Sequence, residues 1–132
     1  MEVLKLELTD NTPKVILDHT KHEIEFEGDS RPEDVQKFFK PIMDWLDEYG
    51  EYVKNAGDVT LNANFKLEYF NSSSAKYIMD IILKLGEIAE AANVTLNINW
   101  FYDEMDEDML DAGEEFEDML DVEFNFVVIP ED

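Results

Sequence analysis

The chain has 132 residues, of which 45% are apolar and 12% aromatic, so it can form one domain with a substantial core. Its 33 acidic and 10 basic residues give a formal net charge of −23, which argues against nucleic acid and anionic membranes as partners and favours proteins that offer Lys and Arg. The absence of cysteine excludes disulfides, thiolate nucleophiles and cysteine-based zinc sites.

Three short strands are predicted in the first thirty residues, because apolar and polar residues alternate in the first and third and the second is a short apolar run. They cover residues 3–8, 15–17 and 23–27, with turns at 10–13 and 19–22, and Gly28-Asp29 is expected to end the third.

A first helix is predicted after Ser30-Arg31-Pro32-Glu33, which has the spacing of a capping box. Apolar residues then recur at helical spacing from Val35 to Tyr49. Pro41 lies inside this run and is expected to kink the helix or split off its first turns. Residues 55–58 close the segment.

The rest of the chain alternates strands with helices. Strands are predicted over 59–69, 94–102 and 122–129; helices are predicted from Ala75 to Asn93 and, despite dense acidic residues, over 103–121. The element order is therefore βββαβαβαβ, which predicts an α/β (α+β) fold over residues 1–132 with one mixed sheet of about six strands. Because the strands alternate, we expect helices mainly on one face and a second, polar face that is either solvated or an interface.

Asn71 and three consecutive serines, Ser72, Ser73 and Ser74, stand where the long strand meets the second helix. Their side-chain oxygens suit a helix cap. One cap needs fewer hydroxyls than this, however, and a helix start also stabilises an attached phosphate. The sequence thus allows either a simple cap or a phosphorylatable switch.

Metal-dependent chemistry has two weaker candidates. His19 and His22 lie in a hairpin turn beside carboxylates, where surface residues are the simpler interpretation, and the acidic run 103–108 lacks the glycine and final glutamate of an EF-hand loop. No phosphate loop, nucleophile elbow or metalloprotease motif occurs. We therefore predict no catalytic residue, no metal site and no cofactor.

Several stretches, taken together, resemble the SiaC-type regulatory phosphoproteins along nearly the whole chain. These stretches are residues 65–76, Thr12-Pro13, residues 28–33, Asp44-Trp45 and residues 100–103. The architecture also resembles STAS domains, in which a phosphorylatable hydroxyl starts the helix after a central strand. The resemblance implies a non-enzymatic switch that a partner kinase phosphorylates and a metal-dependent phosphatase resets. The unphosphorylated form would activate a diguanylate cyclase and so promote cyclic-di-GMP signalling and biofilm formation.

The resemblance maps the phospho-acceptor onto Ser72, where the family commonly has Thr. Ser73 is the alternative, because neighbouring serines are chemically equivalent. The phosphosite would be shaped by Asn71, Ser73, Ser74 and Lys76, and partners would contact Tyr69 and Phe70.

The rival functions are a phosphate-independent interaction module, with a possible homodimer through the polar sheet face, and a metal-dependent hydrolase that uses residues 103–111. The start of the sequence lacks the pattern of a signal peptide and no stretch approaches a membrane span, so we expect a cytoplasmic protein.

Overall fold

The computed structural model describes residues 1–131, which form three helices and one six-stranded sheet. In chain order the elements are β1 (Leu4–Leu6), β2 (Lys14–Asp18), β3 (Glu23–Ser30), α1 (Val35–Val53), β4 (Val59–Phe70), α2 (Ser72–Ile88), β5 (Val94–Asp103), α3 (Glu107–Leu120) and β6 (Phe124–Ile129).

The strands lie in the sheet in the same order as in the sequence. The first two pairings are antiparallel hairpins, and the next three are parallel pairings spanned by the three helices. The predicted α/β class, the element order and the mixed sheet are therefore confirmed.

A single apolar core lies between the sheet and the helices. Every second residue of β4 from Val59 to Leu67 is buried, and α1 and α2 cover that face with apolar residues four and three apart. At its centre Trp100 is fully buried, and its Nε1 donates to the carbonyl oxygen of Met109 at 2.9 Å. Gly113 of α3 packs directly on this indole, so the small residue sets how closely α3 approaches the sheet.

The opposite face of the sheet is polar and carries no helix, as the alternation predicts. Asparagine side chains form a ladder across the parallel strands. Asn97 donates to Asn62 at 3.1 Å, Asn99 donates to Asn64 at 2.8 Å, and Asn125 donates to Asn99 at 3.2 Å. These hydrogen bonds form because β4, β5 and β6 are paired in a register that places the asparagines side by side.

The predicted start of α1 is wrong. Strand β3 does not stop at Gly28: that residue adopts φ 118°, which glycine tolerates, and the strand continues to Ser30. Ser30 is thus a buried strand residue, and Asp34 caps α1 by accepting from the amide of Lys37.

Pro41 does not split the helix, which continues through it. Proline has no amide hydrogen to donate to the carbonyl oxygen four residues earlier. Because Pro41 is exposed, that carbonyl oxygen can face water instead.

Other boundaries shift by a few residues. The first strand spans only Leu4–Leu6, and the acidic helix begins at Glu107, because residues up to Asp103 pair in the sheet and Asp106 caps the helix. The last strand begins at Phe124.

Candidate functional site

The junction between β4 and α2 lies at the edge of the sheet where the parallel strands end. The amide of Asn71 donates to the carbonyl oxygen of Ser30 at 3.1 Å, which ties the end of β4 to the end of β3. The carboxyl ends of parallel strands and the amino ends of the following helices meet at such an edge, where sites in α/β folds commonly form. The candidate site is therefore held by two neighbouring strands and one helix.

The three serines are not equivalent, contrary to the prediction. Ser74 is fully buried, and its Oγ accepts a 2.8 Å hydrogen bond from the Oγ of Ser30. Ser72 and Ser73 are exposed. A modifying enzyme can reach the first two hydroxyls, whereas Ser74 serves to anchor the helix start on β3.

Asn71 is the helix cap. Its Oδ1 accepts from the amide of Ser74 at 2.9 Å, and its carbonyl oxygen accepts the first helical bond, from Ala75. The amides of Ser72 and Ser73 belong to the first turn and have no partner within the helix. These two donors and the helix dipole favour negative charge at this point. Asn71 thus caps the helix and leaves the hydroxyls of Ser72 and Ser73 exposed beside these amides.

Tyr69 and Phe70 have different surroundings from those that the alternation suggests. The pairing of β3 with β4 advances from Gly28↔Leu67 to Asp29↔Tyr69, so β4 contains one extra residue at this point. Tyr69, which the alternation assigns to the core-facing set, is consequently 50% exposed. Phe70 packs against Trp100 and Phe116, with ring centroids 6.4 and 5.8 Å apart. Tyr69 is available to a partner, while Phe70 mainly fixes the junction on the core.

Two cavities flank the junction. One, of about 370 Å³, lies beside α3 and brings Tyr69 and Phe70 together with the carboxylates of Glu68, Asp106 and Asp108. The second, of about 390 Å³, lies beside α1 and is lined by Val35, Gln36, Ser73, Lys76, Tyr77 and Asp80. The predicted site residues are thus brought to one edge, with Lys76 on the α1 side and acidic groups on the α3 side.

The histidines lie elsewhere and are held by aromatic contacts. The Nδ1 of His22 is 2.7 Å from the hydroxyl of Tyr49, and the ring of His19 packs edge-on against Tyr52. Within residues 1–131 the structure forms no group of three or more His, Asp or Glu that could hold a metal ion. None of the helices in this part of the chain is long and apolar enough to cross a membrane.

The sequence did not identify Ser30 as part of this site. Among the described residues, its hydroxyl is the only buried one that forms a hydrogen bond with Ser74. The two residues are 44 positions apart. Ser30 fits a helix-capping pattern equally well, so no local signal distinguishes the two roles.

Comparison with known proteins agrees with the resemblance. Residues 6–129 match a family described as SiaC family regulatory phosphoprotein. An uncharacterized protein of Pseudomonas aeruginosa (strain UCBPP-PA14) is 30% identical over 128 residues, which cover 97% of this chain and 96% of that protein.

Solved structures give the same result. Apo-SiaC from Pseudomonas aeruginosa is 28% identical with a TM-score of 0.80, over 97% of this chain and 98% of that one. SiaC in a crystal structure of the diguanylate cyclase SiaD with its activator SiaC, also from Pseudomonas aeruginosa, is 28% identical with a TM-score of 0.81, over 97% and 99%. The fold class is confirmed by these structures, and the likeness to STAS domains stays a prediction.

Proposed function

This chain belongs to the SiaC family of regulatory phosphoproteins and is therefore a regulatory protein, not an enzyme; from that premise we propose that it is a phosphorylation-controlled activator of a diguanylate cyclase. In this proposal residues 1–132 act as one regulatory domain. The unphosphorylated form binds and activates the cyclase, a partner kinase blocks that binding, and a metal-dependent phosphatase restores it. The output is cyclic-di-GMP signalling and biofilm control, and the kinase's need for ATP gives a cytoplasmic location.

One observation carries the proposal: an exposed hydroxyl, Ser72, directly follows the capping Asn71 at the start of α2. We assign the phosphate to Ser72 because the family's acceptor follows this asparagine. Ser73 is the alternative, being exposed one residue further on. The burial of Ser74 argues against that residue as an acceptor.

The phosphate would be held without refolding of the chain. Phosphorylation adds a charge of about −1.5 to −2 and three acceptor oxygens. The first-turn amides of α2 can donate to these oxygens, and Lys76, four residues after Ser72, lies on the same side of the helix. The modified helix start should therefore be at least as stable as the unmodified one.

The effect on a partner would be large. A protein surface packed over Tyr69 and the exposed serines would bury a dianion beside the carboxylates of Glu68, Asp106 and Asp108. Lys76 offsets only part of this charge. Burial of the part that stays uncompensated costs several kcal/mol, and each 1.4 kcal/mol is tenfold in affinity. Modification of one hydroxyl is thus sufficient to switch binding.

The acceptor can be identified by co-expression with the kinase, followed by intact mass and peptide mapping. We expect one added phosphate on the wild-type chain and on Ser74→Ala, and none on Ser72→Ala. A phosphate retained on Ser72→Ala and lost from Ser73→Ala would move the assignment to Ser73.

Calorimetric titration with the purified cyclase tests the switch. Ser72→Ala should bind like the unmodified chain, whereas stoichiometric phosphorylation should weaken binding by about a hundredfold, or about 3 kcal/mol. Asn55→Asp, an added charge in an exposed loop, is the matched control and should bind normally. Equal affinity of the modified and unmodified chains would instead favour the phosphate-independent interaction module.

Calorimetric titration with Mg²⁺ and Ca²⁺ tests the second rival function. We expect no saturable site, and a stoichiometric metal site would instead favour the metal-dependent hydrolase.

A further inference from the structure

Ser30 is joined to both ends of the turn that carries the exposed serines. Its carbonyl oxygen accepts from the amide of Asn71 at 3.1 Å, and its Oγ donates to the Oγ of Ser74 at 2.8 Å. Asn71 and Ser74 are also joined to each other, because the Oδ1 of Asn71 accepts from the amide of Ser74 at 2.9 Å. These three hydrogen bonds, which we call the Ser30 clamp, bracket Ser72 and Ser73 in the chain.

The position of Ser30 is itself fixed by the sheet. Ser30 is the last residue of β3 and pairs with Phe70, and the amide of Arg31 donates to the carbonyl oxygen of Asn11 at 2.9 Å. Ser30 is 1% exposed and Ser74 is fully buried, so water does not compete for the hydrogen bond between their hydroxyls. The end of β3 is therefore a fixed reference point for the first turn of α2.

The exposed serines depend on that turn for their orientation. The first turn of a helix has fewer backbone hydrogen bonds than its middle, and it frays unless other groups hold it. Successive residues of a helix are turned by about 100° around its axis, so Ser72 and Ser73 point in clearly different directions. A fixed turn presents one of these hydroxyls to an enzyme in a defined orientation, whereas a loose turn presents both.

We propose that Ser30 is a positioning residue for phosphorylation, which holds the first turn of α2 so that the kinase modifies Ser72 and not Ser73. This inference rests on the proposed function. In the transfer, the Oγ of Ser72 forms a bond to the γ-phosphorus of ATP while the bond from that phosphorus to the β–γ bridging oxygen breaks. ADP leaves, and the hydroxyl proton passes to a base of the kinase.

Alignment is what Ser30 contributes to this step. The attacking and leaving oxygens lie roughly in line during phosphoryl transfer, and a misplacement of about 1 Å costs up to about a hundredfold in rate. Ser30 is buried and therefore cannot touch ATP or the kinase. Its effect reaches the acceptor only through Asn71 and Ser74, so it should alter the transfer step and not the docking of the chain on the kinase.

Initial rates of phosphorylation by the purified kinase, with the full chain and Mg²⁺-ATP, test this role. Ser30→Ala removes the side-chain bond of the Ser30 clamp and keeps the backbone one. We expect kcat to fall about tenfold with KM nearly unchanged, while the final stoichiometry stays at one phosphate. Val59→Ala shortens a buried side chain at the other end of β4 and is the control for lost stability. It should keep the wild-type kcat at a temperature where every variant is folded.

Peptide mapping of the product gives a second readout, which lost stability alone would not move. The ratio of Ser72 to Ser73 phosphate should fall several-fold in Ser30→Ala. It should fall likewise in Ser74→Ala, which breaks the same hydrogen bond from its other end, and stay unchanged in Val59→Ala. If Ser30→Ala fails to fold by circular dichroism, Ser30→Ala/Ser74→Ala takes its place, because it lacks the bond without leaving a buried donor unpaired.

The results separate this inference from the proposed function. A wild-type kcat and a wild-type product ratio in both Ser30→Ala and Ser74→Ala would overturn the inference alone. So would equal losses in Val59→Ala, or a raised KM with unchanged kcat, because stability or docking would then explain the effect. A wild-type chain that the kinase leaves unmodified at both exposed serines would overturn the proposed function and the inference with it.

Discussion

Replacement of Ser74 by alanine should destabilise the fold, whereas the same change at the two preceding serines should not. The Oγ of Ser74 is the acceptor for the Oγ of Ser30 at 2.8 Å, and both side chains are buried. Without it the hydroxyl of Ser30 has no partner and no access to water, which costs about 1–3 kcal/mol. Alanine has a better helix propensity than serine by about 0.5 kcal/mol. We therefore expect a net loss of about 1–2 kcal/mol for Ser74→Ala, and changes within about 0.5 kcal/mol for Ser72→Ala and Ser73→Ala.

Urea unfolding at pH 7 measures these differences. The double variant Ser30→Ala/Ser74→Ala supplies the decisive control: with both hydroxyls removed, no buried donor is stranded, so its loss should be clearly smaller than the sum of the two single losses. The reasoning would be refuted if Ser74→Ala unfolded like Ser72→Ala, or if the Ser30 and Ser74 effects were simply additive. Retained phosphorylation of Ser74→Ala would show separately that its hydroxyl is not the phospho-acceptor.

Three further predictions follow from other contacts. Gly113→Ala would place a Cβ within 2.5 Å of the Trp100 ring, so we expect a loss of about 1–3 kcal/mol and altered tryptophan fluorescence; an unchanged urea midpoint would contradict this packing. Asn71→Ala removes the α2 cap and should cost about 1 kcal/mol, whereas Asn71→Asp keeps the acceptor and should cost little by the same measurement. Partial burial opposes ionisation of Glu25, but hydrogen bonds and charge from Lys66 and a second lysine outweigh it and hold the pKa of Glu25 below its ordinary value of 4.5. The ionised carboxylate of Glu25 therefore stabilises the fold above about pH 4.5, and this contribution is lost as the pH falls through the lowered pKa. Glu25→Gln should be less stable than wild type by about 1 kcal/mol at neutral pH and equally stable in acid. A stability difference between the two proteins that stayed constant with pH would contradict the ion pair.

Much of the fold follows from local patterns. The period of the apolar residues distinguishes helices from strands in the sequence. The long strand that leads to Asn71 and the serines is predicted by its regular alternation of apolar and polar residues. The alternation also predicts that one sheet face is polar, since a residue two positions along the strand returns to the same side. Membership of the SiaC family likewise follows from several stretches along the sequence, and the assignment of the acceptor to Ser72 is what that resemblance implies.

What the sequence determined by itself is therefore the type and order of the elements, the position of Asn71 and the three serines between β4 and α2, and the negative net charge of the chain, because these depend on composition or on residues close together in the chain. Only the tertiary structure decided that Ser74 is buried against Ser30, that an extra residue in β4 exposes Tyr69, and that β4, β5 and β6 place their asparagines side by side. Each of these depends on the register between strands or on contacts between distant residues, and a shift of one residue in register moves a side chain to the other face of the sheet.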